Sequence, residues 1–128
     1  SDTVLVVEDE WAVRSLIHHV LRDAGYAVIE AGNGADALSL AAKYGDRIDL
    51  LLTDVAMPGL TGKEVAQRLR AERPGLRVIF MSGYSYDSLF DGDAISSHME
   101  FLPKPFAPDR LLEKVEAMLT AAKKGPAL

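Results

Sequence analysis

Glu8 and Asp9 close one apolar run of the chain and Asp54 closes another. Ser82 follows a third, and Lys104 stands before a proline after a fourth. Each of these residues falls where a buried strand stops and a loop begins. In an open parallel sheet such loops share one edge, and ligands bind there. Three carboxylates brought to one place repel each other unless a cation neutralises them. A hard divalent ion such as Mg²⁺ suits that role, because it takes oxygen ligands and keeps water and phosphate in its shell. The residue types therefore predict a Mg²⁺-assisted phosphoryl site.

The elements that position these residues follow from the pattern around them. Val4-Leu5-Val6-Val7 and Leu50-Leu51-Leu52-Thr53 are short apolar runs of the kind buried on both faces of a sheet. Tyr26 to Ala31, Val78 to Met81 and Met99 to Leu102 supply three further strands. Between them lie helical spacings: Val13, Leu16, Ile17, Val20 and Leu21, then Ala37, Leu38, Ala41 and Ala42, with Gly25 and Asn33 as stop and cap. Thr61 with Glu64 has the form of a capping box, and Pro74-Gly75 ends the helix it opens. Residues 84–97 make the poorest helix, interrupted by Gly92 and several Ser and Asp, and are expected to be short or mobile. Leu111, Leu112, Val115, Met118 and Leu119 line one side of a last helix that opens at Pro108.

Strands alternating with helices imply parallel pairing and a three-layer α/β sandwich. The expected fold is a flavodoxin-like (βα)5 domain with sheet order 2-1-3-4-5 over residues 1–122, followed by a flexible tail at 123–128. In that order the chain reverses direction between strands 1 and 3, the two that end in Glu8-Asp9 and Asp54. Topology and charge select the same place.

Composition narrows the rest. A length of 128 residues suits one domain, and no stretch is apolar enough to span a bilayer. The absence of cysteine excludes disulfides and thiol chemistry and fits a reducing, cytoplasmic setting. A net charge of −5 argues against nucleic acid as a partner.

The stretches VLVVEDE, LLTDVAMPGLTG, VIFMSGY and LPKPF, in this order, resemble the receiver domain of two-component response regulators. FMSGYS further resembles receivers carried by hybrid histidine kinases. The resemblance covers Val4 to Leu119 and implies a role for each matched position. Asp54 is then the phosphoacceptor, attacking the phosphorus of a phosphohistidine on a sensor histidine kinase or histidine phosphotransfer protein. Asp9 and Asp54 ligate Mg²⁺ directly, Glu8 through water, and Ala56 by its backbone carbonyl. Ser82 and Lys104 engage phosphoryl oxygens, and Lys104-Pro105 is a cis bond. Phe101 stands at the switch-aromatic position, with Ser82 as its hydroxyl partner in the switch. The same resemblance puts the output surface, and a possible homodimer, on the face built from the helix at 84–97, strand 5 and the last helix.

Two positions depart from the commoner family pattern. Ser82 replaces threonine and keeps the hydroxyl. Phe101 replaces tyrosine and cannot hydrogen-bond through its ring. Competing readings are a Mg²⁺-dependent phosphohydrolase working through an aspartyl phosphate, a receiver kept only as a binding scaffold, and a flavin-binding domain. The hydrolase needs a second acid two residues after the nucleophile, and that position is Ala56. The flavin reading needs a hydroxyl-rich phosphate loop where this chain has Glu8-Asp9. His18 and His19 are expected to face solvent, and Trp11 to cover the first helical turn rather than meet a partner. Tyr84, Tyr86, Leu89 and Phe90 suit either a partner patch or half-buried packing.

Overall fold

A computed structural model describes residues 2–83 and 98–124. The strands are β1 (Thr3–Val7), β2 (Ala27–Ala31), β3 (Leu50–Asp54), β4 (Arg77–Ser82) and β5 (Met99–Pro103). They form one parallel sheet in the order β2-β1-β3-β4-β5, as the alternating pattern predicts. Among the described residues four helices cover it: α1 (Trp11–Asp23), α2 (Gly34–Tyr44), α3 (Gly62–Glu72) and α4 (Pro108–Lys124). The helix expected over 84–97 lies outside the described residues, as does the aromatic cluster within it. α4 runs through Lys124 and so includes the first two residues of the expected tail.

Alternation along each strand divides the core into two clusters. Leu5 and Val7 of β1 and Leu51 of β3 pack on one face with Ala37 of α2 and Val65 and Ala66 of α3. Val4, Val6, Leu50 and Leu52 pack on the other with Ile17 and Leu21 of α1 and Leu111 and Val115 of α4. Successive side chains of a strand point to opposite faces, so a strand covered on both sides must be apolar throughout. That is why β1 and the first three residues of β3 carry no charge.

The helix boundaries obey local chemistry. The Asn33 side chain accepts a hydrogen bond from the Asp36 amide at 2.8 Å and opens α2. Thr61 and Glu64 close a reciprocal capping box at the start of α3. Gly25, at φ 97°, makes the turn out of α1 in a region that side chains with a Cβ rarely adopt.

One expected helix face loses a residue and another is rotated. On α1, Leu16 is 48% exposed, while Val13, Ile17, Val20 and Leu21 face the sheet. On α2, Leu40, Ala41 and Tyr44 join Ala37 against the core, and Ala42 is exposed. α2 is rich in alanine, so several phases of its stripe look equally apolar until packing against the sheet chooses one. Trp11 is 72% exposed and buries little of the first turn it begins.

Candidate metal centre at the sheet edge

Strand register brings the acids together. Val7 of β1 pairs with Thr53 of β3, so the next residues along, Glu8 and Asp54, leave the sheet side by side. Asp54 in turn pairs with Met81 of β4, which places Ser82 one residue further along the neighbouring strand. Ser82 pairs with Pro103 of β5, and the Ser82 carbonyl accepts a hydrogen bond from the Lys104 amide at 2.9 Å. Four strand ends thus deliver Glu8-Asp9, Asp54, Ser82 and Lys104 to one edge. The Lys104-Pro105 bond is cis.

Glu8, Asp9 and Asp54 each place a carboxylate oxygen within 4.8 Å of the others. Their environments differ. Glu8 is fully buried, Asp54 is 7% exposed, and Asp9 lies open to solvent. Lys104 bridges the two buried acids: its Nζ donates to Glu8 Oε1 at 2.5 Å and to Asp54 Oδ2 at 3.1 Å. The other Glu8 oxygen accepts from the Glu10 amide at 3.1 Å.

Burial pushes the Glu8 carboxyl above its ordinary pKa of 4.5. Hydrogen bonds from Lys104 and the Glu10 amide oppose that rise without cancelling it, and the nearby negative charge of Asp54 adds to it. For Lys104, burial works against the ammonium, but the two carboxylates outweigh it and hold the pKa above 10.5. One lysine shared between two buried acids, with a third acid alongside, leaves room for more positive charge. An all-oxygen donor set selects Mg²⁺ or a similarly hard cation over softer metals. The residues present fit that ion.

The floor of the site depends on a residue the sequence reading passed over. Gly62, the first residue of α3, lies against the end of β3. A Cβ added there would stand 2.0 Å from the Asp54 carbonyl oxygen and 3.0 Å from Thr53 Oγ1. The Gly62 amide donates to the Val55 carbonyl at 2.9 Å, and Thr53 Oγ1 donates to the Asp54 carbonyl at 2.9 Å. Only glycine permits this approach of helix to strand. Its signal in the sequence was present but ambiguous, since a glycine after Thr61 also reads as ordinary turn chemistry.

The remaining predicted positions divide. Ala56 is exposed two residues beyond Asp54, at the rim. Phe101 is not at the acid cluster: it is half-buried on β5, its ring 5.6 Å from that of Phe80 and tilted by 32°. His19 is exposed as expected, but His18 is half-buried, with Nδ1 3.0 Å from Glu30 Oε2. Glu30 and its other partner, Arg14, had no place in the sequence reading.

A flavodoxin-like sheet with acids from strands 1 and 3 and a lysine after strand 5 defines a class of signalling domain rather than a single protein. The response regulator receiver domain family model matches residues 4–116, and the chain belongs to that family. It is 39% identical over 119 residues to the sensor kinase CckA of Brucella abortus, covering 93% of this chain and 13% of the kinase. It is 29% identical over 119 residues to sporulation initiation phosphotransferase F of Bacillus subtilis, covering 93% of this chain and 94% of that one. Among solved structures it resembles the response regulator TrrA of Thermotoga maritima in complex with Mg²⁺ and BeF, with a TM-score of 0.78 and 33% identity. That match covers 93% of this chain and all of the other. The chain is a receiver domain of the phosphorelay type, and it spans only a small part of the sensor kinase it matches.

Proposed function

We propose that Asp54 is the phosphoacceptor, taking a phosphoryl group from a phosphohistidine on a sensor kinase or histidine phosphotransfer protein in the cytoplasm. The observation that carries this reading is the Lys104 bridge. A lysine 3.1 Å from Asp54 Oδ2 holds that carboxylate at the sheet edge by a charge-assisted hydrogen bond and stands ready for a second anion. In the transfer, an Asp54 oxygen bonds to phosphorus as the bond from phosphorus to the histidine nitrogen breaks. Such a transfer needs alignment and charge neutralisation more than covalent machinery. Asp9, Asp54 and the Ala56 carbonyl would hold Mg²⁺ directly and Glu8 through water, the ion supplying positive charge to the phosphoryl oxygens. Lys104 turns from the acids toward one of those oxygens, and the Ser82 hydroxyl donates to another.

The product carries between one and two negative charges that the unmodified site lacks. Recruitment of Ser82 then opens space beside β4, into which the Phe101 ring turns from its contact with Phe80. This shifts the population between two packings of the face that includes β5 and α4. The same face is the proposed site of homodimerisation. The similarity to CckA favours a receiver belonging to a hybrid kinase. The domain itself is an acceptor, not a hydrolase of external esters, since Ala56 cannot serve as the acid/base such an enzyme needs.

Intact mass after incubation with acetyl phosphate and Mg²⁺ tests this reading. One added phosphoryl group is expected in the parent and none in Asp54→Ala or after chelation of Mg²⁺. Equal labelling of parent and Asp54→Ala would refute the assignment.

A further inference from the structure

Arg14 lies one turn into α1, outside the acid cluster, yet its side chain reaches back to the end of β1. Its Nη1 donates to the Glu8 carbonyl at 2.7 Å, and its Nε sits 3.3 Å from Glu30 Oε1 on β2. The other Glu30 oxygen is 3.0 Å from His18 Nδ1, a close approach without hydrogen-bond geometry, so Arg14 is the partner that ties Glu30 to α1. A Cβ on Gly32 would come within 3.2 Å of Arg14 Nη1, so glycine leaves room for the guanidinium above the end of β2. The Glu8 amide donates to the Ala31 carbonyl at 3.1 Å, which ties the same corner to β2 through the backbone.

These bonds matter because of what lies between them. Asp9 is exposed and follows Glu8 directly. The peptide on its N-terminal side is held at the Glu8 carbonyl by Arg14. The peptide on its C-terminal side is held at the Glu10 amide by the Glu8 carboxylate. With both flanking peptides fixed, the direction in which the Asp9 Cα–Cβ bond leaves the chain is fixed as well, which narrows where its carboxylate can reach. A planar guanidinium can donate along two directions at once, to a carbonyl and to a carboxylate, while an ammonium is a point donor. Partners that orient ligands without touching the ion commonly change metal affinity by about 10–100-fold when removed.

We infer that Arg14, anchored by Glu30, is a positioning residue that presets the Glu8-Asp9 corner for a divalent cation. The inference rests on the proposed function and concerns how tightly the ion is held, not whether Asp54 is the acceptor. In the folded protein, loss of the Arg14 side-chain bond frees the Glu8–Asp9 peptide, and the cation must then order it on binding.

The test is a calorimetric Mg²⁺ titration of the parent, Arg14→Gln, Arg14→Lys and Glu30→Gln, with thermal unfolding and acetyl phosphate labelling in parallel. Arg14→Gln is expected to weaken Mg²⁺ binding by about tenfold. Arg14→Lys keeps the charge but not the fork and should fall between it and the parent, with Glu30→Gln weaker than the parent by a smaller factor. A purely structural role would lower the unfolding temperature and the number of binding-competent molecules while leaving their dissociation constant unchanged. If Arg14→Gln does not fold, Arg14→Lys and Glu30→Gln decide by the same constant. A labelled parent with unchanged Mg²⁺ dissociation constants in the folded variants overturns this inference alone. A parent that accepts no phosphoryl group on Asp54 overturns the proposed function beneath it.

Discussion

The middle of the sheet and the two acids buried at its carboxyl edge are almost equally hidden from water but are held by opposite means. Leu51 and Phe80 sit among apolar neighbours, and Glu8, one residue beyond the apolar β1, is just as inaccessible. The middle is stabilised by burial. The edge is a concentration of like charge tolerated because Lys104 bridges it. Burial therefore strengthens one region and strains the other, and the strained one is where chemistry is available. A cation has something to relieve there; in the middle it has nothing.

The largest effect that separates the two regions is expected in the middle. Phe80→Ala removes a ring that is 1% exposed and should cost about 3–5 kcal/mol. Because its neighbours are apolar, that cost should be the same at pH 5 and pH 8. Chemical denaturation at both values would check this, and a marked pH dependence would blur the distinction drawn here.

At the edge, Lys104→Met should cost less overall, roughly 1–3 kcal/mol, because it leaves the Glu8 carboxylate buried without its cation. Here pH should matter. Glu8 already titrates above 4.5 in the folded parent, and loss of Lys104 raises it further. Below the unfolded value Glu8 is protonated in both states and the missing cation costs little. As pH rises toward the raised folded value, the unfolded chain releases its proton first and the variant loses stability. The difference between parent and variant should therefore grow from pH 4.5 to pH 8. A constant difference would mean that Lys104 contributes by packing alone.

Mg²⁺ supplies the third contrast. At ten times its dissociation constant it should stabilise the parent by about 1.4 kcal/mol. That gain should shrink as pH falls into the raised Glu8 range, because the ion must then displace a proton. Unfolding temperatures with and without Mg²⁺ across pH would show it. The smallest effect belongs to neither region: Leu16→Ala, on the outer side of α1, should change stability by less than about 0.5 kcal/mol. A larger loss would restore Leu16 to the core.

How far the sequence could be read follows from the same contrast. The inner strands β1 and β3 were legible because burial on both faces demands unbroken apolar runs, and the acids stood out because they end those runs. The caps at Asn33 and Thr61-Glu64 were legible because they act within four residues. Phase was harder: Leu38 and Ala42 are apolar enough to share the stripe of α2, and only packing against the sheet selects Leu40 and Tyr44 instead. Long-range placement was not legible. Nothing in a helical arginine announces a bond to a carbonyl six residues earlier, and Gly62 owes its necessity to the Asp54 carbonyl that strand and helix bring against it.

The central claim is that the strained edge exists to take a phosphoryl group on one carboxylate among three. Borohydride reduction of the labelled protein, followed by peptide mass mapping, tests it most directly. Reduction converts an aspartyl phosphate to homoserine, so the modified position can be identified. The account predicts homoserine at position 54 and unmodified residues at positions 8 and 9. Conversion at Asp9 instead, or label on a residue away from this edge, would contradict it.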